Sequence, residues 1–150
     1  MTRAVVVCAL LVAFLNVVPA LLGAFRWYRG EPSHAFWILL RVGQGSALVL
    51  AILAGSLAAA GHYSSDRLFY LYALLPLAVA FVAEQLRVAA AQTILDRHDL
   101  PSAQAVGALD EPGQHALVAE ILAREMIVMA LSAFVVVFLA LRAAGTAHGF

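Results

Sequence analysis

The sequence is poor in charged residues, which make up only 12% of its 150 residues. All nine basic residues are arginines, so the chain has no lysine, and nine acidic residues bring the net charge to zero. Soluble domains are about one quarter charged, and nucleic-acid-binding domains concentrate basic residues on one face. The low charge therefore excludes an ordinary soluble domain, and the neutral balance argues against nucleic acid as a partner.

Cysteine is also scarce, and the histidines form no recognisable motif. The single cysteine, Cys8, cannot form an intramolecular disulfide, and its position within an apolar run predicts that it packs as a small apolar side chain. The five histidines match no zinc-binding spacing, so we predict no metal site. No apolar run has a histidine near its middle, which argues against bis-histidine haem ligation. The sequence assigns no cofactor.

Apolar residues, in contrast, are abundant: they make up 64% of the chain, and the mean hydropathy is +0.93. They fall in runs of about 20 residues, the length that crosses ~30 Å of hydrocarbon as a helix. We therefore predict an all-α integral membrane protein, a four-helix bundle that forms one membrane domain over residues 1–150 without a soluble domain. The predicted spans cover about residues 4–25, 35–60, 68–95 and 114–142, and a cytoplasmic loop covers about 96–113.

Local signals place several boundaries of these helices. Ser33, after a glutamate and a proline, predicts that the second helix begins near His34. The third helix is expected to begin near Leu68, after a polar turn. One helical turn is expected around residues 102–106 of the polar loop, and the residues after Arg142 are expected to fray.

The arginines also predict an orientation in the bilayer. The first and third loops, with their helix ends, hold five arginines, whereas the opposite side holds three. Because cytoplasmic loops are enriched in basic residues, we expect these two loops in the cytoplasm and both termini on the non-cytoplasmic side of a cell inner membrane. The five are Arg26, Arg29, Arg87, Arg97 and Arg124.

Three of the spans carry ionisable residues at the same depth, near the cytoplasmic edge. Glu84, for example, lies about 24 Å along its helix from Leu68 at ~1.5 Å per residue. Ionic groups inside a span should face protein or a water-filled cavity, and we expect Arg41 to pair with Glu84 or Glu125 across helices. The candidate ligand- or partner-binding residues are Arg41, Gln44, Glu84, Arg87, Gln92, Arg124 and Glu125.

The second span also carries small residues at every fourth position. Small side chains let two membrane helices approach closely, so this row predicts a helix-packing face, within one protomer or between protomers. Its members are Gly43, Ala47, Ala51, Gly55 and Ala59.

Three classes of function are compatible with these features. The leading interpretation is a non-enzymatic polytopic subunit that lies in the lipid bilayer. Its polar cluster and small-residue face would bind partner helices, either of further copies in a homo-oligomer or of other membrane subunits. The first alternative is a membrane enzyme that binds a small charged cosubstrate at the cluster, and the second is a small transporter or channel for protons or ions. The cluster could also simply join the cytoplasmic ends of the helices.

Two membrane families invite comparison. In length and number of spans, the chain is similar to the glutathione-using enzymes of the MAPEG type. The similarity is one of size only, because Glu84, Arg87 and Gln92 differ in spacing from that family's Arg/Asn/Glu motif, which belongs on an earlier helix. Small multidrug transporters depend on a carboxylate in the first span, where this chain has only Asn16. We assign the sequence to neither family.

Overall fold

The computed structural model describes residues 2–149, apart from the side chain of Ala103, and these residues form helices and no strands. Four of the helices are long and apolar enough to cross a membrane. The predicted all-α bundle of four membrane helices is therefore confirmed. The elements are α1 (Thr2–Arg29), α2 (His34–Ala59), α3 (Leu68–Arg97), α4 (Ala103–Val106) and α5 (Glu111–Thr146).

The helices begin where their local signals predict. Ser33 is the N-cap of α2, and its Oγ accepts a hydrogen bond of 3.3 Å from the backbone N–H of Phe36. At the start of α3, Asp66 Oδ1 accepts a bond of 2.9 Å from the N–H of Leu68. The predicted starts of these two helices, and the single helical turn of α4, are therefore confirmed.

The long helices follow one another around a four-sided bundle. α1 packs most extensively against α5 and also against α2, while α3 packs against α5. α2 and α3 share a much smaller interface, and α2 and α5 lie diagonally across the bundle. Each helix is thus adjacent to its neighbour in sequence, α5 closes the ring, and the α2–α3 side is the thinnest.

Close packing of α1 against α2 depends on one glycine and one asparagine. Asn16 is fully buried, and its Nδ2 donates to the carbonyl of Val12 at 2.9 Å and to that of Gly43 at 3.2 Å. A Cβ atom at position 43 would lie only 2.8 Å from Asn16 Oδ1. A polar side chain buried in a membrane bundle needs such partners, so this contact fixes how α1 and α2 align.

The loop between α2 and α3 binds the C-terminal residues. Ser65 N donates to His148 O at 2.8 Å, and Ser64 Oγ lies 3.0 Å from the same carbonyl and 3.3 Å from Thr146 O. The expectation that the chain frays after Arg142 is therefore wrong for residues 143–149. The loop supplies donors to carbonyls that the end of a helix leaves unsatisfied.

The connection between α3 and α5 folds back onto the ends of these helices. Ile94, Leu95 and Leu117 form a small buried cluster, and side chains of the connection cover it. With 36 residues, α5 is about 54 Å long at ~1.5 Å per residue, longer than the ~30 Å of hydrocarbon. We call this end of the bundle the α4 end, and the opposite end, where the C-terminal residues lie, the tail end.

Candidate functional site

A chain of alternating charges links α2, α3 and α5. Arg41 Nη1 lies 2.7 Å from Gln44 Oε1 and 2.6 Å from Glu84 Oε1. The other carboxylate oxygen of Glu84 lies 3.0 Å from Arg87 Nε, and Arg87 Nη1 lies 3.7 Å from Glu125 Oε2. We call these five residues the polar network. The structure thus contains the pair between Arg41 and Glu84 that the common depth of the two residues suggested.

The polar network balances its own charge. Two guanidinium groups face two carboxylates, and the Arg87 guanidinium also lies over the ring of Trp37, 5.6 Å from its centroid. Side-chain exposure is lowest at Glu125, at 16%, intermediate at Arg87 and Glu84, at 29% and 27%, and highest at Arg41, at 54%. The network is therefore closed on its α5 side and open at Arg41.

Arg41 retains unused donors at this open end. Both of its hydrogen bonds come from Nη1, and within residues 2–149 its Nε and Nη2 donate none. A guanidinium group has five N–H donors in one plane, and the neighbouring side chains of Trp37, Ile38 and Val42 offer them no acceptor. An acceptor group from outside this chain can therefore reach Arg41 and bind in the plane of its guanidinium.

Two predicted site residues do not join the polar network. Gln92 Nε2 instead donates to Asp96 Oδ1 at 2.9 Å, farther along α3. Arg124 is exposed and lines a separate cleft, together with Arg97. Arg97 and Trp37 were not among the predicted site residues, although Trp37 stands one helical turn before Arg41 and could have been found from that spacing.

The predicted row of small residues divides between two faces of α2. Gly43, Ala47 and Ala51 are buried in the bundle, whereas Gly55 and Ala59 are exposed. The reason is helical geometry: at about 100° per residue, each step of four residues turns roughly 40° past a full turn. Over four steps the row therefore moves about 160° around the helix, from the inner face to the outer one.

The outer face of α2 carries a different row, whose members are all exposed. Their spacing is four, three, four, three and four residues, the alternation that keeps side chains in one narrow line along a helix. We call this row the α2 stripe. It consists of Arg41, Gly45, Leu48, Ile52, Gly55 and Ala59.

Known proteins offer no assignment for this arrangement. No protein-family model, curated protein or solved structure matches the chain. Nor do three or more His, Cys, Asp or Glu side chains converge as a metal ion would require, in the part of the chain that the structure describes. The interpretation therefore rests on geometry, which shows a neutral network inside the bundle and an arginine at its outer end.

Proposed function

We propose that this chain is a non-enzymatic membrane subunit that binds a helix of a partner protein along the α2 stripe. The observation that supports the proposal is the stripe itself, a continuous exposed line of coiled-coil spacing that ends at a half-exposed arginine with unused donors. In the proposed orientation both termini lie on the non-cytoplasmic side, and Arg41 lies near the cytoplasmic edge of the hydrocarbon.

The shape of the stripe suits a helix. A Cβ atom at Gly45 or Gly55 would meet nothing within 4 Å, so both positions are open depressions on the surface of α2. The exposed side chains of Leu48 and Ile52 lie between these depressions. Small residues alternating with larger ones allow a neighbouring membrane helix to approach and interlock, with a crossing angle of about 20° for this spacing.

Arg41 specifies the chemistry of the partner. A guanidinium group in an apolar segment is stabilised by a carboxylate, amide or carbonyl that binds its free N–H groups. Two copies paired symmetrically along their α2 stripes would bring two Arg41 side chains together, and each guanidinium group would present N–H donors to the other without an acceptor. We therefore expect the partner to be a different polypeptide whose helix carries a carboxylate or amide at the depth of Arg41.

Native mass spectrometry on protein extracted gently from its own membranes tests this proposal. We expect a second polypeptide in fixed stoichiometry with the wild-type chain. In Gly55→Leu, that polypeptide should be lost, because the larger side chain fills a depression of the stripe while leaving the bundle itself undisturbed. Gly145→Leu is the matched control, since Gly145 is also open to its surroundings but lies outside the stripe.

Three results would contradict the proposal. If Gly55→Leu retained the partner as well as the control does, the α2 stripe would not be the docking face. If the wild type were a bare protomer, no subunit would be bound at all, and the enzyme and transport alternatives would be tested next. A homo-oligomer that dissociates in Gly55→Leu would support the α2 stripe as the docking face but would show that the partner is a second copy of this chain.

A further inference from the structure

A second surface, between α3 and α5, combines positive charge with an apolar groove. Near the α4 end, α3 and α5 border an open cleft of about 490 Å³, which Trp27 of α1 also lines. Its polar lining consists of Thr93, Arg97, Glu120 and Arg124. The polar network does not contribute to this cleft, and the α2 stripe lies on another helix.

The two arginines of the cleft differ from those of the polar network in their ion pairing. Neither Arg97 nor Arg124 forms an ion pair among the residues that the structure describes, whereas Arg41 and Arg87 are neutralised within the polar network. Among residues 2–149, one carboxylate lines the cleft, that of Glu120, and its Oε2 lies 3.9 Å from His98 Nε2. The cleft therefore carries an excess of positive charge.

An apolar groove continues from the cleft toward the tail end. It also has a volume of about 490 Å³, lies between α3 and α5, and shares Leu86 and Val128 with the cleft. Its far end is lined by Ala78 on α3 and Val135 on α5. Cleft and groove thus form one continuous depression that is basic at one end and apolar along the rest.

The depth of this depression matches one leaflet of a bilayer. Arg97 lies about 43 Å along α3 from Leu68, at ~1.5 Å per residue. With Leu68 at one edge of ~30 Å of hydrocarbon, the Cα atom of Arg97 lies about 13 Å past the other edge, and its long side chain, which tilts back toward the helix N-terminus, extends to the headgroups. Ala78 lies about 15 Å from Leu68 by the same count, near the middle of the hydrocarbon. The basic end is thus at headgroup level, and the groove runs along the acyl chains.

We propose that this depression binds one phospholipid with a net negative headgroup, taken from the leaflet at the α4 end. Arg97 and Arg124 bind the headgroup, because guanidinium groups form charge-assisted bonds to phosphate oxygens. One acyl chain occupies the groove between α3 and α5. Basic pockets between membrane helices bind anionic headgroups in this way, and a zwitterionic lipid is disfavoured because its own cation would meet the excess positive charge.

Competition between two lipids tests the proposal. The full chain is incorporated into nanodiscs that contain equal amounts of phosphatidylglycerol and phosphatidylcholine, and retained lipids are identified by native mass spectrometry. We expect one phosphatidylglycerol per chain, with a preference of about tenfold or more. Arg97→Gln/Arg124→Gln should abolish that preference. Arg3→Gln/Arg67→Gln, which removes the same charge at the tail end, should leave it unchanged.

Three further measurements distinguish a lipid site from a site for a soluble anion and from a loss of folding. Ala78→Phe fills the groove without changing charge, and we expect it to weaken retention about tenfold. Soluble glycerol phosphate should fail to displace the lipid, since it lacks the acyl chain. Thermal unfolding of each variant in the same detergent verifies that the bundle remains folded.

Either of two outcomes would overturn the proposal. If the tail-end double variant lost the preference as fully as Arg97→Gln/Arg124→Gln, only the overall charge would matter. If both lipids were retained equally by the wild type, the depression would hold ordinary bilayer lipid without selectivity.

Discussion

Replacing Glu84 by glutamine should destabilise the bundle, because Glu84 bridges two cations. One of its oxygens binds Arg41 at 2.6 Å, and the other lies 3.0 Å from Arg87. Glutamine has the same shape as glutamate, and its carbonyl oxygen can accept a hydrogen bond from one arginine. Its amide N–H₂ group, however, would face the N–H donors of the other arginine. The change also leaves the polar network with two positive charges and one negative charge inside an apolar span.

The magnitude follows from how exposed the pair is. Removing one partner of a fully buried ion pair costs about 3–5 kcal/mol, whereas exposed pairs are worth about 1 kcal/mol or less. The Glu84 side chain is 27% exposed, between these limits. We therefore expect Glu84→Gln to lower the free energy of unfolding by about 1–3 kcal/mol.

A double-mutant cycle with Arg87→Gln tests whether the cost comes from the network. The double variant restores charge balance, so the decrease in its free energy of unfolding should be smaller than the summed decreases of the two single variants by at least about 1 kcal/mol. Stability is measured by reversible unfolding in mixed detergent micelles. Glu120→Gln is the control: this carboxylate is half-exposed at the α4 end, and its replacement should change stability by less than about 0.5 kcal/mol. Additivity of the two single changes within about 0.5 kcal/mol would refute the reasoning.

Further predictions concern the helix contacts. Gly43→Ala should lower the free energy of unfolding by about 1–3 kcal/mol through overpacking, since the added Cβ would lie 2.8 Å from Asn16 Oδ1. Gly45→Ala should leave the free energy of unfolding unchanged or raise it by up to about 1 kcal/mol, because alanine has the higher helix propensity and the position is open. The same unfolding assay compares this pair, and equal effects would contradict the assigned α1–α2 contact. Ser64→Ala should release the C-terminal residues, because the Ser64 hydroxyl donates to His148 O. We expect faster amide hydrogen exchange at His148 and a decrease of about 1 kcal/mol in the free energy of unfolding. Unchanged exchange there would show that the hydroxyl does not hold the tail.

Local features of the fold could be predicted from the sequence because their causes are local. Ser33 caps α2 through a group three residues away, and Leu68 begins α3 beside the side chain of Asp66. The length of each apolar run likewise fixes the number of spans. The pair between Arg41 and Glu84 could also be suggested, since two opposite charges at one depth of an apolar bundle have few other partners.

Features that depend on how the helices face one another could not be predicted in this way. The row from Gly43 to Ala59 shows no break in sequence, yet the direction from which α1 approaches decides where the row leaves the buried face. Arg97 and Arg124 are far apart in the chain and share a cleft only because α3 packs against α5. The tail was expected to fray because its donors come from the distant Ser64 and Ser65.

The most direct test of the proposed function is a photocrosslinking scan along the outer half of α2 in native membranes. A photoreactive residue is placed in turn at each position from 45 to 59, and crosslinks to other polypeptides are quantified. The account predicts one partner, with maxima at Gly45, Leu48, Ile52 and Gly55 and minima between them, in the period of about 3.5 residues of a packed helix. Equal crosslinking at every exposed position would show that no helix docks in a fixed position, and maxima on another face would show that the partner binds outside the α2 stripe; either result would contradict the proposed function.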